Sequence, residues 1–261
     1  MKVSYTAVTL ADQPELRNHA IPDTDIWPEF NLQGETYRQL WPRLNDDLPA
    51  FQFAMCDEQT GEVAAQGHTV PCWWDGEPAG LYSGLDATMA DAFERLDTDA
   101  PVNTLCAITA EIPPGARGTG LAAEILKSMG ALAVENGLTH MIAPCRPTWK
   151  DRYPTIPIER YMTWRREDGS LMDPWLRLHE RLGARIVAAA PASYRIVGTV
   201  GEWESWSGMA LPESGDYVFR GGLSPLAVDR EADRATYLEP NVWMIHNLSS
   251  LEKLRGAAGR G

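Results

Sequence analysis

The chain has 261 residues, long enough to bury a sizeable core as one elaborated domain. Its hydrophobic content of 44% and charged content of 23% are ordinary for a globular protein. The formal net charge of −13 argues against nucleic acid and anionic membrane as partners, because both are bound mainly by surplus Lys and Arg. An acidic surface attracts cationic small molecules instead.

Neither a metal site nor a disulfide framework is predicted. The four cysteines, at 56, 72, 106 and 145, show no CxxC spacing, and the five histidines show no HExxH pairing. Cysteines within strand-like stretches are typical of buried thiols in a reducing compartment. The N-terminus lacks the apolar segment of a signal peptide, and no apolar run approaches the ~18 residues of a membrane span. We therefore expect a soluble, cytoplasmic protein without a metal.

The first hundred residues predict a strand, two helices and a hairpin. In chain order these are a weak strand at 3–9, two short proline-broken helices within 10–49, and the hairpin strands Phe51–Asp57 and Glu62–Trp74. The turn "EQTG" between the two hairpin strands favours antiparallel pairing.

The middle of the chain predicts a strand, a helix and a second strand. Thr104–Ile112 is β-rich and mostly apolar, which is typical of a central strand. From about Gly120 to Asn136 the apolar residues share one helical face, and Gly137 occupies the C-terminal cap position. Thr139–Cys145 predicts the next strand.

The last part begins with a long segment, 146–172, that has no periodicity and is rich in Tyr, Trp, Arg and Pro. A connection of that length is usually functional or disordered, and the aromatic residues favour order. The remaining predictions are a helix at Asp173–Gly183 with Asp173 as N-cap, a strand at 184–200, short Trp-containing strands within 201–246, and a frayed tail at 254–261. This order indicates an α/β or α+β fold.

The segment Glu111–Leu126, "EIPPGARGTGLAAEIL", joins the central strand to the following helix. Its two prolines lack N–H groups and therefore end the strand. Glycines before a helix cost stability but leave its N-terminal amides open to an anion, and Arg117 adds a positive charge. Neither GxxxxGK[ST] nor GxGxxG spacing is present, which argues against a Walker-type loop and a dinucleotide fold.

The pattern R-x-x-G-x-A from Arg117 to Ala122, preceded by "IPPGA", resembles the coenzyme A signature of GNAT-type N-acyltransferases. The hairpin at 51–74 resembles the second and third strands of that family, and "PWLRLHERLGARIV" resembles its closing helix and strand. The resemblance covers most of residues 50–200. It implies a mixed, mostly antiparallel central sheet whose middle strands splay apart, flanked by helices.

The resemblance also implies a domain layout. Residues 1–200 would form the acyltransferase domain, with 146–172 as an insertion that serves as a lid or acceptor pocket. Residues 201–261 have no counterpart in the minimal fold and would form a C-terminal β extension packed on the same domain, which would also serve a homodimer contact.

The resemblance implies acetyl-CoA or another acyl-CoA as co-substrate, attacked directly by an amine in a ternary complex. The CoA-binding residues would be Ile112, Arg117, Gly118, Thr119, Gly120, Leu121 and Ala122. The amides of 117–122 would hold the pyrophosphate, and the amide of Ile112 would face the thioester oxygen. An alkylamine must lose a proton before it attacks, and Glu111 is the best-placed acceptor unless it faces solvent.

The leaving thiolate benefits from a proton donor. The family often places a tyrosine four residues before the helix-ending glycine, where this chain has His179. A histidine can also donate near neutral pH, although packing against Trp175 is an alternative role. Tyr194 is a second candidate donor. The insertion supplies four aromatic residues that would either stack on an aromatic or cationic acceptor or pack structurally: Trp149, Tyr153, Tyr161 and Trp164.

Three functions remain open at this point. The leading one is an acyl-CoA-dependent N-acyltransferase, acetyl foremost, for a small amine. The second keeps the fold but decarboxylates an acyl thioester or transfers the acyl group to a hydroxyl. The third is a non-catalytic CoA-binding sensor.

Overall fold

Nine strands form one mixed sheet in the computed structural model, which describes residues 4–19 and 26–258. The strands are β1 (Tyr5–Thr9), β2 (Gln52–Asp57), β3 (Val63–Cys72), β4 (Thr104–Glu111), β5 (His140–Cys145), β6 (Arg185–Gly198), β7 (Gly215–Tyr217), β8 (Leu226–Asp229) and β9 (Arg234–His246). The helices are α1 (Glu35–Asp47), α2 (Leu85–Thr98), α3 (Leu121–Glu135), α4 (Ile158–Tyr161), α5 (Pro174–Arg181), α6 (Val200–Ser207) and α7 (Leu248–Ala258). The predicted mixed, mostly antiparallel sheet is confirmed.

The parallel pair in the middle of the sheet separates partway along its length. β4 and β5 pair only over residues 104–106 and 140–142, although both strands continue further. Beyond that point β4 stays with β3 up to Glu111, and β5 stays with β9 up to Cys145. The carboxyl halves of β4 and β5 therefore diverge, and the predicted splay is confirmed.

The C-terminal strand β9 lies inside the sheet. Its residues 242–246 pair with β5, and its residues 235–245 pair with β6, antiparallel on both sides. The short strands β8 and β7 continue beside its N-terminal half. Strands β7, β8 and β9 therefore belong to the central sheet itself. The tail is helical through Ala258, and the remaining residues of the predicted frayed end lie outside the described ones.

Four helices were not expected from the sequence: α2, α4, α6 and α7. In α2 the buried residues Met89 and Phe93 pack on the sheet with Trp74. Helix α6 falls where strands were expected, because Thr199 and Glu202 form a reciprocal capping box that starts a helix. This local signal prevails over the β-propensity of the two tryptophans that follow.

The helices cover both faces of the sheet. Helices α3, α5 and α7 pack on one face, where Gly130 of α3 lies so close to α7 that a Cβ would come within 2.6 Å of the Leu251 side chain. Helices α1 and α2 cover the other face. Among the described residues no helix is long and apolar enough to cross a membrane.

Candidate active site

A cavity of about 760 Å³ occupies the gap between the diverging strands. One end is formed by the glycine-rich segment before α3, and the other end by α5 with His179. Ile112, at the end of β4, and Cys145, at the end of β5, lie on its walls. A volume of this size is typical of a pocket for a ligand or cofactor.

The glycine-rich segment presents bare backbone to this cavity. Gly118 and Gly120 have φ values of +81° and +93°, and a Cβ on either would meet nothing within 4 Å. The first helical hydrogen bond of α3 runs from the Ala123 amide to the Gly120 carbonyl, at 3.0 Å. The amides before Ala123 therefore precede the helical ladder and carry the partial positive charge of the helix end.

The predicted CoA-binding residues fall into two groups. Five of them line the cavity: Ile112, Arg117, Gly118, Gly120 and Ala122. The other two contribute no side chain to the wall, since the Thr119 hydroxyl donates to the Ala116 carbonyl and the Leu121 side chain is buried in the core. Their backbone amides still belong to the start of α3.

Glu111 points inward and is 1% exposed, which rules out the solvent-facing alternative. Trp27 Nε1 donates to Glu111 Oε1 at 3.2 Å, and His68 Nε2 lies 3.5 Å from Glu111 Oε2. Trp27 itself lines the cavity, so the carboxylate lies directly behind the wall. Sequence reasoning missed Trp27 and His68, because their contact with Glu111 depends on how three separate segments pack.

His179 is 1% exposed and contacts two side chains. Its Nδ1 lies 2.8 Å from His246 Nε2, and Cys145 Sγ lies 3.6 Å from Nδ1 and 3.5 Å from Nε2. Because the sulfur is almost equally far from both nitrogens, it cannot lie along the lone pair of either. The contact therefore does not have the geometry of a nucleophilic Cys–His dyad.

Burial keeps both histidine rings neutral. Desolvation, followed by the charge of His246, lowers the pKa of His179 well below its usual value, and desolvation lowers the pKa of His246 to about 4. Nδ1 of His246 has no hydrogen-bond partner among the described residues. We assign the His246 proton to Nε2, where it is donated to His179, because a buried N–H without an acceptor is costly. The His179 proton then resides on Nε2.

A smaller chamber of about 80 Å³ adjoins the main cavity. Both cavities share five wall residues: Trp27, Ile108, Thr109, Pro144 and Arg146. We call this shared zone the neck. Deeper in the chamber the walls are aromatic and aliphatic, with Asn31, Glu239 and Asn241 as polar groups.

Tyr194 belongs to the chamber wall and not to the wall of the main cavity. Its hydroxyl donates to the Asn31 carbonyl at 2.7 Å and accepts from the Gly34 amide at 3.1 Å. Burial raises its pKa. The structure thus separates the second candidate donor from His179 and commits its proton to the Asn31 backbone.

The four insertion aromatics lie in neither cavity wall. The rings of Tyr153 and Tyr161 pack on Trp164, with centroids 4.9 and 5.2 Å apart. The Tyr161 hydroxyl and the Trp149 amide both donate to Asp173 Oδ2, while Asp173 Oδ1 caps α5 as predicted. The structure therefore joins these residues to each other and to the start of α5, and not to an acceptor.

No family model matches the chain. The chain is 28% identical to the arginine N-acetyltransferase avaD of Aspergillus versicolor over 273 residues, covering 93% of each. Two solved structures share the fold. The loading GNATL domain of CurA from Lyngbya majuscula aligns with a TM-score of 0.59 and 16% identity, covering 94% of this chain and 98% of that one. The GphF GNAT-like decarboxylase in complex with isobutyryl-CoA aligns with a TM-score of 0.55 and 18% identity, covering 94% of this chain and 99% of that one.

Proposed function

We propose that the chain is a member of the GNAT-type acyl-CoA acyltransferase superfamily and that it transfers an acyl group, acetyl foremost, to a small amine of the amino-acid class. One observation carries the proposal. A single cavity leads from a helix N-terminus with bare amides, through the gap between β4 and β5, to a neck beside the buried carboxylate Glu111. The similarity to an arginine N-acetyltransferase supports an amine as acceptor.

Acyl-CoA would occupy the main cavity. Its pyrophosphate would accept from the amides at the start of α3, where the helix end and Arg117 favour an anion. Ile112 follows Glu111, the last residue paired with β3, so its amide lies beyond the ladder and would donate to the thioester oxygen. A preorganised donor of this kind stabilises the negative charge that develops on that oxygen.

The amine would enter at the neck and attack the thioester carbon. The ammonium first passes one proton to Glu111, and the neutral nitrogen then bonds to the thioester carbon as the carbon–sulfur bond breaks; the nitrogen releases its second proton to solvent. Because Trp27 lies between this carboxylate and the cavity, a bridging water at the neck would carry the proton. His179, neutral at physiological pH, would donate a hydrogen bond from Nε2 to the leaving thiolate, which then takes its proton from solvent.

A second candidate keeps the same cavity but not the acceptor. Arg146 at the neck has a guanidinium that would hold the free carboxylate of a malonyl thioester. Loss of CO₂ would then leave the acyl thioester after protonation of the carbanion. A GNAT-like decarboxylase shares the fold, although at 18% identity this likeness concerns the fold alone.

Thiol release from acetyl-, propionyl- and malonyl-CoA, measured with and without a panel of amines, separates these functions. The proposal predicts release that requires an amine, with the acylated amine identified by mass spectrometry. Release from malonyl-CoA without any amine would identify a decarboxylase. Acyl-CoA binding without turnover on any amine would identify a sensor and contradict the proposal.

A further inference from the structure

We propose that the 80 Å³ chamber is a subsite for a cationic side chain of the acceptor, a guanidinium or ammonium group, so that the enzyme acylates the α-amine of a basic amino acid. This inference rests on the proposed acyl transfer. It adds which end of the acceptor enters the chamber, which residues recognise that end, and which nitrogen is acylated.

Glu239 provides a buried carboxylate to the chamber. It is 3% exposed, and its contacts with the described residues all fall on Oε2: Arg146 Nε at 3.0 Å, Tyr237 Oη at 3.2 Å and Asn31 Nδ2 at 3.4 Å. The other oxygen, Oε1, is therefore left to accept from a ligand. A buried carboxylate requires several donors, and a guanidinium supplies them in a planar fork.

Asn31 provides a second acceptor. It is 8% exposed and lines the chamber, and its Oδ1 has no hydrogen-bond partner among the described residues. A buried polar atom left unpaired typically costs about 1–3 kcal/mol, so a ligand that donates to it binds more favourably. Asn31 and Glu239 are already in contact, which places both acceptors within reach of one donor-rich group.

The charged groups around the chamber favour a positively charged ligand. Glu239 lies in its wall and Glu111 behind Trp27, while Arg146 is the cation at the neck. The neutral form of His68, which lies beside Glu111, leaves two carboxylates against one guanidinium. A cationic side chain would balance this charge.

The chamber walls suit the rest of such a side chain. Tyr37 and Trp41 lie with their ring centroids 5.3 Å apart, and Leu85 and Met89 add aliphatic surface. Methylene groups pack on these walls, and the aromatic faces attract a cation. A volume of about 80 Å³ exceeds the ~10–15 Å³ that one water needs, so a group of several heavy atoms fits.

Placing the side chain in the chamber leaves the amino-acid head group at the neck. The α-carboxylate then meets Arg146, and the α-amine lies between Thr109 and the end of β4. A guanidinium stays protonated throughout the physiological pH range and is a poor nucleophile, whereas the α-ammonium of an amino acid has a much lower pKa and loses its proton more readily. The α-amine therefore attacks the thioester, its proton leaves through Glu111, and the products are the Nα-acyl amino acid and CoA.

Arginine and citrulline test this assignment, because citrulline replaces the guanidinium with a neutral urea of nearly the same shape. We expect kcat/KM to be at least 10-fold higher for arginine, and fragmentation of the product to place the acyl group on the α-nitrogen. If amines are acylated but arginine and citrulline react equally, or if the acyl group lies on the guanidinium, the inference is wrong and the proposed function stands. If no amine is acylated, the proposed function fails and the inference with it.

Two variants test the residues. Glu239→Gln and Asn31→Ala should each reduce the preference for arginine over citrulline at least 5-fold, while acyl-CoA affinity stays unchanged. Glu213→Gln, which removes the same charge at an exposed residue outside both cavities, should keep the wild-type preference. Asn31→Ala leaves the Arg146–Glu239 pair intact, so it decides the question if Glu239→Gln folds poorly. An unchanged preference in a folded Asn31→Ala variant would overturn the assignment.

Discussion

His179 Nδ1 and His246 Nε2 lie 2.8 Å apart in a buried pair that joins α5 to β9, the strand that completes the sheet. The pair therefore links the wall of the main cavity to the C-terminal part of the fold. Because both rings are neutral, the pair affects how stability depends on pH and which proton His179 can donate.

The free energy of unfolding should decrease as pH falls from 6.5 towards 4. Both folded-state pKa values lie below the unfolded value of about 6.5, that of His246 at about 4, so in this range the unfolded chain binds more protons. The stabilisation is complete above pH 6.5 and is lost towards pH 4, with His246 alone contributing on the order of 3 kcal/mol. Urea unfolding at pH 7.5, 6.0 and 5.0 measures this change.

A His246→Gln variant should show a shallower pH dependence of stability than the wild type. His140→Gln serves as the matched control, since His140 lies outside the buried pair at the start of β5. Equal slopes in wild type and His246→Gln would show that His246 is not buried in its neutral form.

Replacing His179 with Phe should lower kcat by roughly 10- to 100-fold, because one hydrogen-bond donor to a developing negative charge is lost. The dissociation constant of CoA should change little, since the proposed pyrophosphate site lies at the other end of the cavity. The wild-type kcat should show no decrease near pH 6.5 that reports loss of an imidazolium. Stopped-flow thiol detection measures kcat, and an unchanged kcat in His179→Phe would remove this residue from the mechanism.

Glu111→Gln should lower kcat/KM for alkylamines by about 10²- to 10⁴-fold, since the proton acceptor is lost. The decrease should be below about 10-fold for an aromatic amine, which is already neutral at pH 7 and needs no prior deprotonation. Glu124→Gln, the same change on the exposed side of α3, is the control. If both classes of amine lose activity equally, Glu111 supports the structure of the site and does not accept the proton.

Trp164→Ala should lower the free energy of unfolding by about 2 kcal/mol while KM for the amine stays within about 2-fold, because this ring packs on Tyr153 and Tyr161 away from both cavities. Thermal unfolding and steady-state kinetics measure the two quantities. Trp73→Ala, at an exposed tryptophan outside the cluster, should leave both nearly unchanged. A large increase in KM without loss of stability would assign the cluster to acceptor binding instead.

The sequence predicted the parts of the fold that local patterns specify. The hairpin at 51–74, the strand before Pro113, α3 and the Asp173 cap of α5 are each determined by neighbouring residues, and all of them form as expected. The place of β9 could not be predicted, because it pairs with both β5 and β6, whose paired residues lie between 37 and 105 positions earlier in the chain.

Local sequence patterns likewise located only part of the candidate site. The glycine-rich segment and Glu111 follow one another in the chain, so the sequence located both. The chamber is built from α1 and the segment before it, α2, β4, β5, β6 and β9, and its polar residues come together only in the folded protein. Glu239 and Asn241, two polar residues in a strand that reads as buried, were local signals that could have indicated the chamber.

Calorimetric titration with CoA tests the central claim most directly, in wild type and in the matched variants Gly120→Leu and Gly137→Leu. Both glycines have positive φ and open space around them, but Gly120 begins α3 at the cavity while Gly137 follows its other end. Both variants should therefore lose similar stability, about 1–2 kcal/mol, from the left-handed backbone. We predict that wild type and Gly137→Leu bind CoA equally and that Gly120→Leu binds at least 10-fold more weakly. If CoA gave no heat of binding with wild type, or if a folded Gly120→Leu variant bound CoA as tightly as wild type, the account would be contradicted.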